Sequence, residues 1–220
     1  MQFDGKKQQT RFYEQNICNL AYGQFESDNE YGIPCMLPTK IDNLEEVKLQ
    51  GFNFCRKEKR PQGKACHFFL YDYEFECIWR YPDRYTEMLK KFDFVLSPDF
   101  SPYSDMPKCL QIYNVYRNRW CGRYWQENGI KVIPTVTWSS IETLEFALCG
   151  IPKQSTIAIS TMGEGRWANW QSLKENWRYV VETLEPKTIL LYGKNLINQL
   201  YQPPNCVIIN KGLINTKAED

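Results

Sequence analysis

What the chain lacks narrows it first. It holds one histidine in 220 residues, so chemistry built on histidine clusters or on a histidine-served nucleophile has almost nothing to draw on. That residue, His67, directly follows Cys66 in an apolar run. Neighbouring strand residues point to opposite faces, so the two cannot form a dyad. Nine cysteines are present, at 18, 35, 55, 66, 77, 109, 121, 149 and 206, without a single C-x-x-C pair. An odd, dispersed set suits neither a disulfide framework nor zinc; core thiols, no disulfide and no zinc site are expected.

There is no surplus of charge either, with 27 Lys and Arg against 26 Asp and Glu. This excludes a basic nucleic-acid coat and an acidic tail and, without a helix-turn-helix signature, argues against duplex DNA as partner. No apolar run reaches 18 residues, and Met1 to Gln15 contain no hydrophobic signal core. A cytoplasmic protein with no membrane partner is expected.

Short β-rich apolar runs are plentiful. They fall at 67–71, 94–97, 131–137, 156–160, 188–192 and 206–210, each nearly continuous in apolar residues, as strands covered on both faces are. Helical patterns at 82–91, 107–128, 140–148, 169–184 and 194–201 separate them, with Pro82, Gly129 and Pro186 as start and stop signals. The alternation predicts an α/β fold with a mostly parallel sheet, either open or incomplete and barrel-like. Residues 1–65 read as an irregular N-terminal extension, with short strands at Ile33 to Leu37 and Val47 to Phe54. Residues 66–212 form the α/β domain and 213–220 a disordered tail.

Ligands of parallel α/β sheets bind beyond the carboxyl ends of the strands. Asp72 and Asp99 follow the first two runs and are the candidate catalytic pair, as ligands of a divalent metal with water or as general acid and base, against the alternative that both are helix caps. Trp138, Thr161, Gly163 and Arg166 follow later runs and are candidate ligand contacts. Gly163 and Arg166 are placed to hold an anion between a strand and a helix, although the G-x-G there is no nucleotide fingerprint. Asp99 lies in the loop from Ser97 to Pro107, stiffened by three prolines. On the following helix Arg117 falls within the apolar arc of Ile112, Tyr113, Tyr116, Trp120 and Tyr124, as a ligand contact or a structurally paired guanidinium. Gln111, Asn114 and Asn118 read as a solvated face. No particular cofactor is indicated.

Several stretches resemble a known family: Phe92-Asp-Phe-Val-Leu-Ser-Pro-Asp-Phe-Ser101, Asp105-Met-Pro107, Leu110-Gln-Ile-Tyr-Asn114, Tyr116-Arg-Asn-Arg119, Val132-Ile-Pro134, Trp138 and Gly150-Ile-Pro152. These are similar to domain-of-unknown-function family 4417 of bacteria and their phages, over about Ile33 to Asn210. The resemblance implies an intracellular protein of a bacterium or mobile element and brings no catalytic residues with it. A role in replication or in blunting host defence is implied by that kinship alone. The residues themselves point to a small polar or phosphorylated ligand, a nucleotide or nucleic-acid end. The competing expectation is a non-enzymatic protein that binds a host protein or sequesters a signal molecule.

Overall fold

The computed structural model describes residues 16–162 and 168–212. Among them run seven parallel strands: β1 (Lys48–Gly51), β2 (Lys64–His67), β3 (Phe94–Leu96), β4 (Val132–Ile133), β5 (Thr156–Ser160), β6 (Thr188–Tyr192) and β7 (Val207–Lys211). They pair in sequence order within two sheets, β1-β2-β3-β4 and β5-β6-β7, and one parallel bridge from Thr135 to Ala158 joins the sheets. Between strands lie α1 (Phe52–Cys55), α2 (Asp72–Arg80), α3 (Pro82–Leu89), α4 (Lys108–Glu127), α5 (Leu144–Ala147) and α6 (Ala168–Leu184).

Period-two alternation divides the strand side chains between two cores. Cys66, Val95 and Val132 face the aromatic cluster around Phe75, Trp79, Trp120 and Trp125. Ile157, Ile159, Ile189 and Leu191 face Leu173, Trp177, Val180, Val181 and Leu184 of α6, whose spacing of three and four is that of one helical stripe. The other face curls inward. Leu49, Ala65, Phe94, Leu96, Ile133, Ala158 and Leu190 share one buried cluster, with Ile209 packed against it. His67 on β2 lies 4.5 Å, ring centre to ring centre, from Tyr192 on β6. A flat sheet cannot bring those strands together, so the sheet is barrel-like in curvature. It stays open: no ladder joins β7 to β1 among the described residues. Lys211 Nζ spans the gap, donating to the carbonyls of Glu45 at 2.6 Å and Val47 at 2.9 Å.

The elements depart from the sequence expectations in instructive ways. The strand expected at 67–71 is Lys64–His67, because Phe68 and Phe69 leave the ladder to fill the helix-side and inner cores respectively. The run at 131–137 pairs as a strand only at Val132–Ile133, and Pro134, without an N–H, ends the regular ladder. Residues 140–148 carry only the short α5, and 194–201 only a 3-10 turn at Ile197–Gln199. An unforeseen helix, α2, precedes α3. Ile33 to Leu37 is not a strand. Its N–H groups find scattered partners instead, Cys35 on Glu26 O, Met36 on Gly150 O and Leu37 on Gln126 Oε1. Strand β2 crosses residue 65, so residues 48–65 share a sheet with β3 and β4. The expected tail at 213–220 lies outside the described residues.

Candidate functional site

Helix α4 builds one wall of the carboxyl edge. Gln111, Asn114 and Asn118, expected on a solvated face, are buried. The reason is the proline-braced loop after β3, whose carbonyls would otherwise lack partners. Gln111 Nε2 donates to Tyr103 O and Met106 O, and Asn114 Nδ2 to Ser101 O. Asn118 Oδ1 accepts the Ser97 hydroxyl at 2.7 Å. Gly122, one turn further, makes this approach possible: a methyl there would stand 2.5 Å from Met36 Cε and 3.2 Å from Ser97 Cβ.

Beyond the backbone pairing of β3 and β4, side chains continue the ladder. Ser97 Oγ accepts from Thr135 N at 2.8 Å, and Thr135 Oγ1 donates to Ser97 O at 2.8 Å. Two residues on, the Thr137 hydroxyl donates to Asp99 Oδ1. Asp99 thereby lines a recess of about 60 Å³ at the carboxyl ends of β3 to β5. Its other polar walls are Thr137, Ser160 and Thr161, and its apolar walls Val136, Trp138, Ile159, Met162 and Leu173. Burial pushes the Asp99 carboxyl up to about 7. The Thr137 hydroxyl pulls it down, nearby Asp72 pushes it up, and the Arg119 guanidinium pulls it down.

The recess brings Asp99, Trp138 and Thr161 together. Trp138 is 9% exposed, its ring belonging mainly to the core under α6. Thr161 Oγ1 donates to Tyr192 O, tying the ends of β5 and β6. Gly193, at φ 108°, permits that contact, for a methyl there would lie 2.5 Å from Thr161 Oγ1.

Asp72 is the first residue of α2 and caps nothing. Its carboxylate accepts the Ser101 N–H and the Ser101 hydroxyl, each at 3.1 Å, and so brackets the loop that carries Asp99. Burial raises its pKa, against the two Ser101 bonds. Arg117 pairs with Glu76 of α2 at 2.8 Å, donates to Asn114 Oδ1 and stacks 3.9 Å from the centre of the Phe100 ring. It lies outside the residues that line the recess. Gly163 and Arg166 lie outside the described residues.

Sequence reasoning missed Arg119. It is 1% exposed, and its Nε, Nη1 and Nη2 donate to the carbonyls of Cys149, Thr135 and Ala147. No pattern marks it, since a charged residue two places from Arg117 reads as surface by default. Thr137 and Ser160 were missed because each sits inside or at the end of a run read only as strand.

Sequential parallel strands, curled but unclosed, with a recess lined by a carboxyl at their carboxyl ends, define an open α/β protein. The chain belongs to the family described as Domain of unknown function (DUF4417), which matches residues 25–205. It is similar to the Gene 1 protein of Mycobacterium phage L5, 40% identical over 182 residues, which are 81% of this chain and 78% of that one. The Gene 1 protein of Mycobacterium phage D29 is 38% identical over 182 residues, 81% of this chain and 66% of that one. No solved structure matches it. Among the described residues no helix is long and apolar enough to cross a membrane.

Proposed function

We propose that the protein binds and processes a polar, phosphorylated ligand, a nucleotide or nucleic-acid end, at the carboxyl edge of its sheet, with Asp99 exchanging a proton with the reacting group. The observation that carries this reading is a carboxyl half-buried in a recess and pushed up to about 7, where both its acid and base forms are populated at neutral pH. A recess of about 60 Å³ admits one functional group, so the rest of the ligand lies over the rim. Tyr71 and Tyr73, 51% and 78% exposed on either side of Asp72, hold their rings 5.7 Å apart and nearly parallel, and on this reading offer an exposed aromatic surface to a base. Phosphate recognition falls to Gly163 and Arg166, which in the chain come just after Thr161 and Met162 of the recess. Asp72 acts here by holding the Asp99 loop.

The test is calorimetric titration of the protein with adenosine monophosphate, adenosine and inorganic phosphate between pH 5 and 9. Binding of the monophosphate that changes about a midpoint near 7 and is lost in Asp99→Asn supports the reading. Full-strength binding in Asp99→Asn overturns it. A second reading, a phage protein that captures a host protein or a signal molecule without catalysis, draws on the exposed tyrosine pair. It requires binding to survive Asp99→Asn and to fail when Tyr71 and Tyr73 are replaced.

A further inference from the structure

We propose that Arg119 is the positioning residue of this site: from the protein interior it holds the turn from Thr135 to Trp138, and with it the Thr137 hydroxyl, against Asp99, and it supplies the buried positive charge that acts on the Asp99 carboxylate. The inference rests on the reading of Asp99 as the proton-exchanging group.

A guanidinium with 1% exposure has lost nearly all its water, yet no carboxylate of the described residues stands within ion-pair distance of it. Its three hydrogen bonds go to uncharged carbonyls, Thr135 at 3.0 Å, Ala147 at 2.7 Å and Cys149 at 3.1 Å. Neutral donors meet carbonyls at a lower cost of desolvation, so the charge needs a reason of its own. The path from Arg119 to the recess supplies one. Its Nη1 donates to Thr135 O at 3.0 Å, which Asn118 Nδ2 also meets at 3.4 Å; Thr135 clasps Ser97 through both its N–H and its hydroxyl; Thr137 and Asp99 stand two residues further along the same two segments, joined by the Thr137 hydroxyl. The groups acting on Asp99 are therefore Thr137 from the turn after β4, Asp72 from α2 and Arg119 from α4. Asp72 and burial favour the acid, while Thr137 and Arg119 favour the carboxylate. With Arg119 in place both forms are accessible near neutral pH, as a group that gives and takes a proton requires.

The experiment is ligand-free NMR of the full chain, following the Asp99 carboxyl carbon and the Arg119 Nε against pH. In the unaltered protein both signals are expected to move with one midpoint, and in Asp99→Asn the Arg119 signal is expected to stay flat through that range. Arg119→Gln, which keeps donors but not charge, is expected to raise the Asp99 midpoint by about one pH unit, a tenfold change in proton affinity. Arg119→Lys keeps the charge without the fork, so the Thr137 and Trp138 amide signals shift and the midpoint rises, but by less than in Arg119→Gln. An Arg119 signal indifferent to the Asp99 titration, or an unchanged midpoint in folded Arg119→Gln, overturns the proposal. If Arg119→Gln does not fold, the first comparison decides alone. Because no ligand is present, failure of adenosine monophosphate to bind removes the proposed function and leaves this coupling standing. Asp99-dependent binding without the coupling removes only the role of Arg119.

Discussion

The sheet opens a recess at each end. The one at the amino end encloses about 360 Å³ between Ile41 to Glu46 and the first residues of β5, β6 and β7; the one at the carboxyl end encloses about 60 Å³. The carboxylates of the larger one, Glu45 and Glu46, sit on exposed residues of the segment before β1. The smaller one is lined by the half-buried Asp99 and the hydroxyls of Thr137, Ser160 and Thr161; outside its lining, two residues back along the same segments, Ser97 and Thr135 clasp each other and the wholly buried Arg119 donates to Thr135 O. Volume therefore does not track the removal of a chargeable group from water, and it is in the smaller recess that burial and neighbours move a carboxyl's proton affinity toward neutral pH.

The largest effect expected from testing this contrast is at Arg119. Arg119→Met takes a donor from three carbonyls at once, leaving Thr135 O only the 3.4 Å bond from Asn118 Nδ2, and a loss of about 3–5 kcal/mol is expected from the usual cost of orphaned polar groups and lost packing. Thermal unfolding should report a fall of roughly 10 °C for a domain of this size. At the amino end Thr188→Val, on a half-buried wall of the large recess, is expected to stay within about 0.5 kcal/mol of the parent. Equal losses at the two sites would erase the distinction.

Next in size is a pair of opposed pH dependences. Burial lowers His67 from 6.5 to about 3, so between those values the unfolded chain takes up a proton that the folded protein refuses, and stability rises with pH. Asp99 does the reverse. Raised from 3.8 to about 7, it keeps in the folded protein a proton the unfolded chain has released, and stability falls as pH climbs through that range. Asp72, also raised, adds to the fall. The two trends largely offset one another in the unaltered protein. Asp99→Asn should expose the His67 slope, up to about 1.4 kcal/mol per pH unit and upward, and His67→Phe the opposite slope. Urea unfolding at pH 4, 5, 6 and 7 reads both; an Asp99→Asn profile matching the parent would show that Asp99 titrates normally.

How far the sequence carried depends on whether a residue's partner is near in the chain. Strands at 94–96, 156–160, 188–192 and 207–211 were legible to within about a residue because continuous aliphatic runs are their own evidence. The position of Asp99 at the carboxyl edge was legible by topology, since parallel strands end on one side. The stripe of Gln111, Asn114 and Asn118 was not: amides at helical spacing look the same whether they meet water or a loop's carbonyls, and here the loop is what they meet. Asp72 was picked out as one of a catalytic pair or as a helix cap; the bonds its carboxylate makes, to the N–H and hydroxyl of Ser101, lie 29 residues away and no local pattern announces them.

A smaller effect should appear at Gly193. An added methyl meets both a left-handed backbone at φ 108° and Thr161 Oγ1 at 2.5 Å, so Gly193→Ala costs about 1–3 kcal/mol. It should also displace Thr161 and weaken whatever binds beside Asp99. Undiminished ligand binding in a Gly193→Ala protein of reduced stability would separate Thr161 from the site.

The smallest expected effect concerns how the ends are kept apart from solvent and from each other. Lys211, the last residue of β7, is the tie between the unpaired edges of the curled sheet, and it acts through two carbonyl bonds onto the segment that walls the amino recess. Burial lowers the pKa of its ammonium, so the bonds it makes are partly cancelled by what the charge has lost in hydration. Lys211→Met therefore costs only about 1 kcal/mol, since the methionine stem keeps the packing and the two carbonyls lie close enough to the surface to find water. Its signature is local rather than global. Amide exchange should quicken in β1 and β7, the two edges it joins, and stay unchanged in β3 and β5, which carry the Asp99 recess. Faster exchange reaching β3 would mean that the tie at the gap supports the carboxyl end as well, and the two ends would then have to be treated as one device.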